Sequence, residues 1–248
     1  MRLAMVQFTL VNALGAAALM LMGCGRIPGR PGPGPEVVRP NEVLDFPTLY
    51  HANCAACHGE KGRDGAAISL ANPAYLAIVG EENLREITAK GVPGKLMPPF
   101  AKSAGGMLTD QQIDVLAHGV MQTWSRADLF AGVNLPQYKA TLSGEVARGQ
   151  IVFSTFCARC HGVAGEGVAG DGKRGSGKVG SIVDGSYLAL ISDQALRSIT
   201  IAGRPDEGMP DWRSDATEPM TDQQITDVVA WLASKRTANP GQPYPTRP

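Results

Sequence analysis

Two short segments place two thiols and an imidazole at a spacing that suits a metal-containing cofactor. Residues 54–58 read Cys-Ala-Ala-Cys-His and residues 157–161 read Cys-Ala-Arg-Cys-His, and a glycine follows each. Thiols three positions apart at a helix start reach two vinyl groups on one porphyrin edge, and the adjacent imidazole points at the iron. This is the attachment pattern of haem c. The pattern predicts covalent haem attachment through the thiols of Cys54, Cys57, Cys157 and Cys160. It predicts that the imidazoles of His58 and His161 bind the iron.

A zinc site shared by the two motifs is disfavoured. About a hundred residues separate the two cysteine pairs, and each pair has its own adjacent histidine. A fifth cysteine, Cys24, is left over and needs a different role.

An internal repeat organises the rest of the chain. Three segments of the first half recur in the second at an offset of 112, among them Thr-Asp-Gln-Gln-Ile at 109–113 and 221–225. The cysteine motifs are offset by 103, so nine extra residues lie between His161 and Tyr187 in the second copy.

The repeat also selects two methionines. Met97 follows His58 by 39 residues and Met209 follows His161 by 48, a difference equal to the insertion, and proline follows each methionine. This shared register predicts that both are iron ligands. Three other methionines lack a counterpart and are predicted to pack in the core: Met107, Met121 and Met220.

Helix signals surround these motifs in both copies. Thr109 and Thr221 each precede a glutamine by three residues, the pattern of a capping box. Apolar residues follow at helical spacing, and Gly91 and Gly203 fit the end of a middle helix. The closing helix of the second copy carries Trp231 where the first has Gly119, which predicts a weaker helix contact in the first copy.

With these motifs in order, the chain resembles class I cytochrome c twice over, and more closely the di-haem cytochrome c proteins, across about residues 42–236. The resemblance implies an all-α fold of two tandem domains and two haem c groups. It implies His58 and His161 as proximal ligands and Met97 and Met209 as distal ligands. Because both axial positions are then filled, it implies an electron carrier or electron-transfer subunit rather than an enzyme.

The expected partners are redox proteins or subunits of a respiratory complex, with a respiratory or dehydrogenase donor and a terminal oxidase or reductase as acceptor. No small-molecule substrate is expected. The alternative is a di-haem peroxidase-like enzyme with one displaceable axial ligand. That class predicts a histidine or an empty position at one iron, whereas both copies here carry Met-Pro.

The first residues predict export. Arg2 precedes an apolar run that ends in Leu-Met-Gly before Cys24, which resembles the lipobox of bacterial lipoproteins. The resemblance implies cleavage before Cys24 and acyl chains on that residue, and two or more chains anchor a protein stably. An uncleaved membrane-spanning anchor is the alternative. Either reading places the remaining chain outside the cytoplasm, at the periplasm-facing membrane surface.

These signals divide the chain into six predicted segments. They are a signal peptide at 1–23, a Pro/Gly-rich tether at 24–41, a first cytochrome c domain at 42–124, a linker at 125–142, a second domain at 143–236 and a Pro-rich tail at 237–248. An 18-residue linker permits many arrangements of the two domains.

The overall charge does not indicate a nucleic acid or a strongly acidic protein as the partner. The chain has 23 basic and 23 acidic residues, so composition gives no argument for binding nucleic acid. The insertion contains a formal Gly-x-Gly-x-x-Gly at 165–170, but it neither follows a predicted strand nor opens a helix. We interpret it as a long flexible loop, with a partner-docking flap that contains Lys173, Arg174 and Lys178 as the alternative.

Overall fold

Helices joined by loops form the fold in the computed structural model, which describes residues 34, 37–169, 178–213 and 218–237. The chain divides into two units, Met1–Glu42 and Val43–Pro248, and both copies of the repeat lie in the second. The described part of the first unit contains one short 3-10 turn, Pro40–Glu42. Within the described ranges no strand forms, which confirms the all-α prediction.

The α-helices follow the same order in each copy: an opening helix, a single turn at the cysteine motif, middle helices and a closing helix. In the first copy they are α1 (Phe46–Asn53), α2 (Ala55–His58), α3 (Pro73–Lys90) and α4 (Asp110–Trp124). In the second they are α5 (Val146–Phe156), α6 (Ala158–His161), α7 (Gly185–Leu190), α8 (Asp193–Ala202) and α9 (Asp222–Ser234). Gly80, at φ 65°, interrupts α3. At the equivalent position of the second copy, Ser192 separates α7 from α8.

Side-chain caps explain where the middle and closing helices begin. The capping boxes predicted at Thr109 and Thr221 are both complete, with each threonine bonded to the backbone of the glutamine three residues later and that glutamine bonded back. Asn72 accepts hydrogen bonds from the first turn of α3. Gly91 and Gly203 end α3 and α8, as predicted.

The opening and closing helices of each copy pack through aromatic rings. In the first copy the rings of Phe46, Tyr50 and Trp124 lie 5.1–6.0 Å apart. In the second, Phe153 stacks on Trp231 at 4.3 Å. The helix contact of the first copy is therefore not left empty, because aromatic side chains from other positions fill the space beside the closing-helix glycine.

An ion pair between a buried carboxylate and an exposed arginine reinforces the same crossing in the second copy. The carboxylate of Asp227 on α9 is 2% exposed and accepts from Nε of Arg148 on α5 at 2.9 Å and from Nη2 at 3.1 Å. It also accepts from the backbone N–H of Glu145 at 2.7 Å. A carboxylate with this many donors can lie in the interior without an unpaired charge.

Direct hydrogen bonds join the two copies. Buried Asn72 donates from Nδ2 to the carbonyls of Ala202 at 3.0 Å and Gly203 at 3.2 Å. Lys95 donates from Nζ to the carbonyl of Ala189 at 2.6 Å. These acceptors lie at the C-terminal ends of α8 and α7, where helix carbonyls need partners from outside the helix. The two copies therefore pack against each other.

The linker packs as well. Phe130 is buried with its ring 5.9 Å from that of Trp212, and the guanidinium of Arg213 lies over both rings. Burial, with the nearby Glu86 carboxylate, raises the pKa of Tyr138 to about 12. The linker is thus a packed element rather than a free connection between the copies.

The structure bears on only some of the remaining predictions. The signal peptide and Cys24 lie outside the described residues, as do nearly all of the tether, residues 170–177 of the insertion, and the tail after Thr237. Among the residues that are described, no helix combines the length and apolar character needed to cross a membrane. Of the three methionines predicted to pack, Met220 is buried and Met121 is half-buried, but Met107 is 82% exposed.

Candidate functional site

Each cysteine motif lies at the junction between an opening helix and a one-turn helix. Cys54 ends α1, and its carbonyl accepts from the N–H groups of Cys57 at 3.2 Å and His58 at 2.9 Å. The carbonyl of Cys157 accepts from Cys160 at 3.1 Å and His161 at 3.0 Å. The same backbone turn therefore presents both thiols and the imidazole in the two copies.

The four thiols are free of disulfides. Cys57 and Cys160 are exposed, whereas Cys54 and Cys157 are half-buried. Burial raises the pKa of the Cys54 thiol to about 11 and that of Cys157 to about 11. Burial thus opposes the thiolate form, which zinc binding and thiol-disulfide exchange require. A thioether bond carries no charge and suits this environment.

His58 is held in a defined orientation. Its ring is buried, and Nδ1 lies 2.8 Å from the carbonyl oxygen of Ile68. That contact makes Nδ1 the N–H donor and leaves the lone pair on Nε2, the form in which an imidazole ligates a metal. Burial also lowers the pKa of His58, which favours the neutral ring.

His161 is half-buried and, within the described part of the chain, lacks the carbonyl acceptor that orients His58. Burial lowers its pKa too, but its Nδ1 is buried with no hydrogen-bond partner among the described residues. Ser69 and Ser181 donate equivalent hydrogen bonds in the two copies, so Gly180 is the counterpart of Ile68. Gly180 directly follows the insertion, which accounts for the local departure from the first copy.

Both methionines lie on loops with the same backbone pairing. The N–H of Val92 donates to the carbonyl of Met97 at 3.0 Å, and the N–H of Arg204 to that of Met209 at 2.9 Å. Both side chains are half-buried. Each loop returns to the glycine that ends the preceding helix: a Cβ at Gly91 would lie 2.7 Å from the Met97 carbonyl oxygen.

The residues present fit a covalently bound haem. Each copy supplies two unpaired thiols, a neutral imidazole and a thioether, the donor set of haem c with histidine and methionine ligation. In the part of the chain that the structure describes, no group of three or more His, Cys, Asp or Glu side chains is arranged to hold a metal ion directly. Within the second motif, the Nδ1 of His161 is a buried polar atom without a hydrogen-bond partner among the described residues.

Several contacts near the site have no signature in the motifs. Tyr50 donates its hydroxyl to the carbonyl of Gly59, at 2.9 Å, which ties the opening helix to the residue after the first motif. Asn72 links the cap of α3 to the glycine that precedes the Met209 loop. Arg197 is fully buried and bonds to the linker. Of these three residues, Arg197 is the one that the sequence could have indicated, because the first copy has an arginine, Arg85, at the equivalent position.

Comparison with known proteins gives a match in each half. Residues 42–118 match the family described as cytochrome c oxidase, cbb3-type, subunit III. Residues 146–235 match the family described as cytochrome c. Together the two matches cover more than half of the chain, and each contains one cysteine motif and one predicted methionine ligand.

One curated relative and one solved structure are also similar. The cbb3-type cytochrome c oxidase subunit CcoP of Azospirillum sp. (strain B510) is 28% identical over 143 residues, which are 51% of this chain and 43% of that protein. This chain thus matches less than half the length of that relative. A chain of the Kuenenia stuttgartiensis reducing HAO-like protein complex aligns over 82% of this chain and 99% of its own, with a TM-score of 0.45 and 20% identity, too low to support inference.

The family matches confirm what the paired motifs predict, namely covalent haem c in each half and electron transfer as the chemistry. The chain belongs to the c-type cytochromes and is a di-haem member of them.

Proposed function

We propose that each half holds its haem through one cysteine motif and one methionine loop. Their shared backbone arrangement is the observation that carries this proposal: the same turn presents each motif, and the same N–H to carbonyl bond fixes each methionine loop. The residues assigned are Cys54, Cys57, His58 and Met97 in the first half, and Cys157, Cys160, His161 and Met209 in the second.

The protein groups then determine orientation and access. The Ile68 carbonyl fixes the His58 ring and makes the ligating nitrogen more basic. A methionine thioether is a soft ligand and raises the reduction potential. Bound haem iron supplies one-electron chemistry. Because a histidine and a methionine in each half would both hold the haem iron, no coordination site would be left for a substrate, and the function we propose is the passage of single electrons.

Replacing each methionine tests the assignment. Met97→Ala and Met209→Ala should each lower the potential of one haem only and remove half of the methionine-to-ferric-iron charge-transfer absorption. Spectroelectrochemical titration measures both. Met107→Ala is the matched control, because Met107 is exposed and has no counterpart in the repeat. Unchanged spectra and potentials in both single variants contradict the assignment.

We also propose that the protein works between components of a respiratory chain. Its donor is a respiratory enzyme or dehydrogenase and its acceptor a terminal oxidase or reductase, with the chain acting as a carrier or as a subunit of a larger complex. The similarity to a cbb3 oxidase subunit supports this proposal. Affinity purification from detergent-solubilised membranes should recover an oxidase, reductase or dehydrogenase, and recovery of the cytochrome alone would contradict a fixed complex.

The location we propose is a periplasm-facing membrane surface, with a lipid on Cys24, or another extracytoplasmic location. The apolar run and its position before Cys24 support this. The wild type should incorporate labelled palmitate and have a mature N-terminus at Cys24, and Cys24→Ser should lose both. A wild type that is held at the membrane without label would instead indicate an uncleaved anchor.

A further inference from the structure

The linker occupies a groove between α8 and α9. Arg197 donates to the carbonyl of Gln137 from Nε at 3.0 Å and from Nη2 at 2.8 Å, and to that of Tyr138 from Nε at 3.2 Å. Gln194 donates to the Tyr138 carbonyl at 2.8 Å, and Asp222 accepts from the Gln137 N–H at 3.1 Å. The groove therefore binds the backbone of two consecutive residues.

The first half has the same groove, between the second part of α3 and α4. At the offset of 112, Arg85 stands at the position of Arg197 and Asp110 at that of Asp222. The side chain of Arg85 is 47% exposed, whereas that of Arg197 is 2% exposed. The groove of the first half has a volume of about 610 Å³, and about 240 Å³ remains around the linker in the second.

The two grooves differ in charge. Glu82 and Asp114 line the groove of the first half, where the second has the uncharged Gln194 and Thr226. Glu81 also lines the first groove and corresponds to Asp193 in the second, so the first groove differs by the two carboxylates of Glu82 and Asp114. An excess of carboxylates around a groove favours a positively charged ligand.

We propose that this groove, here called the Arg85 groove and lined by Glu81, Glu82, Arg85, Gln111 and Asp114, binds an extended basic segment of a partner protein. Arg85 and Asp110 bind its backbone as their counterparts bind the linker. Arg85 has to release Asp114, to which its Nε donates. Both side chains are about half exposed, so this surface ion pair is weak and can exchange.

The linker sequence supplies a probe. A synthetic peptide with the sequence of residues 133–142, which contains one lysine, is titrated into the isotopically labelled full-length holoprotein. We expect saturable NMR shifts at the Arg85 Nε–H and at the backbone of α3 and α4. Arg85→Ala should weaken binding roughly tenfold, because it removes charge-assisted hydrogen bonds. A peptide with glutamate in place of its lysine should bind several-fold more weakly.

The control variant is Arg63→Ala, an exposed arginine of the same half outside the groove. Its peptide affinity should equal that of the wild type, and the visible spectrum should be unchanged in both variants. Because the readout does not involve the haem groups, this proposal and the electron-transfer proposal can fail separately.

Three outcomes would overturn the proposal. Shifts confined to Arg197 and residues 137–140 would mean that the peptide only displaces the linker. Arg85-dependent self-association in light scattering would make the occupant a second copy of this chain. Binding seen only after removal of residues 238–248 would make the chain's own tail the occupant.

Discussion

The ring of Phe46 occupies the space into which a side chain at Gly119 would project, with a Cβ there 2.2 Å from Phe46 Cδ2. The second half reverses the arrangement: Gly149 takes the position of Phe46, and Trp231 that of Gly119. One helix crossing thus admits one large ring, supplied by the opening helix in one half and by the closing helix in the other.

Gly119→Ala should therefore destabilise the first half by about 1–3 kcal/mol through overpacking. Phe46→Ala should cost about 3–5 kcal/mol through the cavity that it leaves. In the double variant the new methyl group enters that cavity, so its cost should be smaller than the sum. Denaturant unfolding of the four proteins in the cycle measures the coupling.

Gly149→Ala, at the equivalent helix crossing of the second half, should show no such coupling. A Cβ at Gly149 would lie 2.0 Å from the backbone carbonyl oxygen of Asp227, which no side-chain truncation removes. Combining it with Trp231→Ala should give no relief. Equal coupling in both halves would argue against the reciprocal packing.

Asn72→Asp should separate capping from the bond between the two halves. Aspartate caps α7 at the equivalent position, Asp184, so the cap of α3 should survive. The donor to Ala202 and Gly203 is lost, and a carboxylate then faces two buried carbonyls. We expect a loss of about 1–3 kcal/mol in the free energy of unfolding.

Faster limited proteolysis within residues 125–142 should accompany this loss. The matched control is Asp184→Asn, whose cap is exposed and which should be nearly neutral. Equal effects of the two substitutions would mean that capping, and not the contact between halves, determines the result.

Asp227 should confer a pH dependence on the second half. Hydrogen bonds from the Arg148 side chain, followed by those from the Glu145 backbone and Gln223, hold its pKa below the ordinary 3.8. Since the folded-state pKa is lowered, the stabilisation is complete above that ordinary value and is lost as the pH falls through the folded-state pKa.

Asp227→Asn should accordingly lower stability near pH 7 by about 1.5–3 kcal/mol and flatten the acid limb of the unfolding curve. Circular dichroism against pH measures both effects. Asp64→Asn, at an exposed carboxylate, should leave the acid limb unchanged. An unaltered limb in the Asp227 variant would contradict the prediction.

Gly203→Ala should disturb the Met209 loop. Gly203 has φ +65°, and a Cβ there would lie 2.3 Å from the carbonyl oxygen of Pro210. We expect partial loss of methionine ligation at the second haem, measured as reduced charge-transfer absorption and a lower potential. Gly105→Ala shares the positive φ but has open space around it, so it should cost stability without changing ligation.

Local and repeated features of this fold were predictable from sequence. The capping boxes at Thr109 and Thr221 depend on residues three positions apart, and the register of Met97 and Met209 follows from a constant offset. The pairing of Phe46 with Gly119 was not predictable. Phe46 corresponds to Gly149 at an offset of 103, whereas Gly119 corresponds to Trp231 at an offset of 112, so no single alignment pairs them. Taken alone, the glycine suggests an unfilled space at the helix crossing. The Asn72 contacts were hidden as well, since backbone carbonyls as acceptors leave no residue signature.

The docking of the linker also bears on how the second half can be isolated. A fragment that begins at Glu145 would retain the bonds of Arg197 to Asp222 and Thr226 but would lose the carbonyls of Gln137 and Tyr138, which accept from its Nε. A buried N–H donor without an acceptor is costly. A fragment that begins at Leu135 would carry those acceptors with it. We therefore expect the stable fragment of the second half to extend upstream of the opening helix, into residues that a boundary drawn at the motifs would discard.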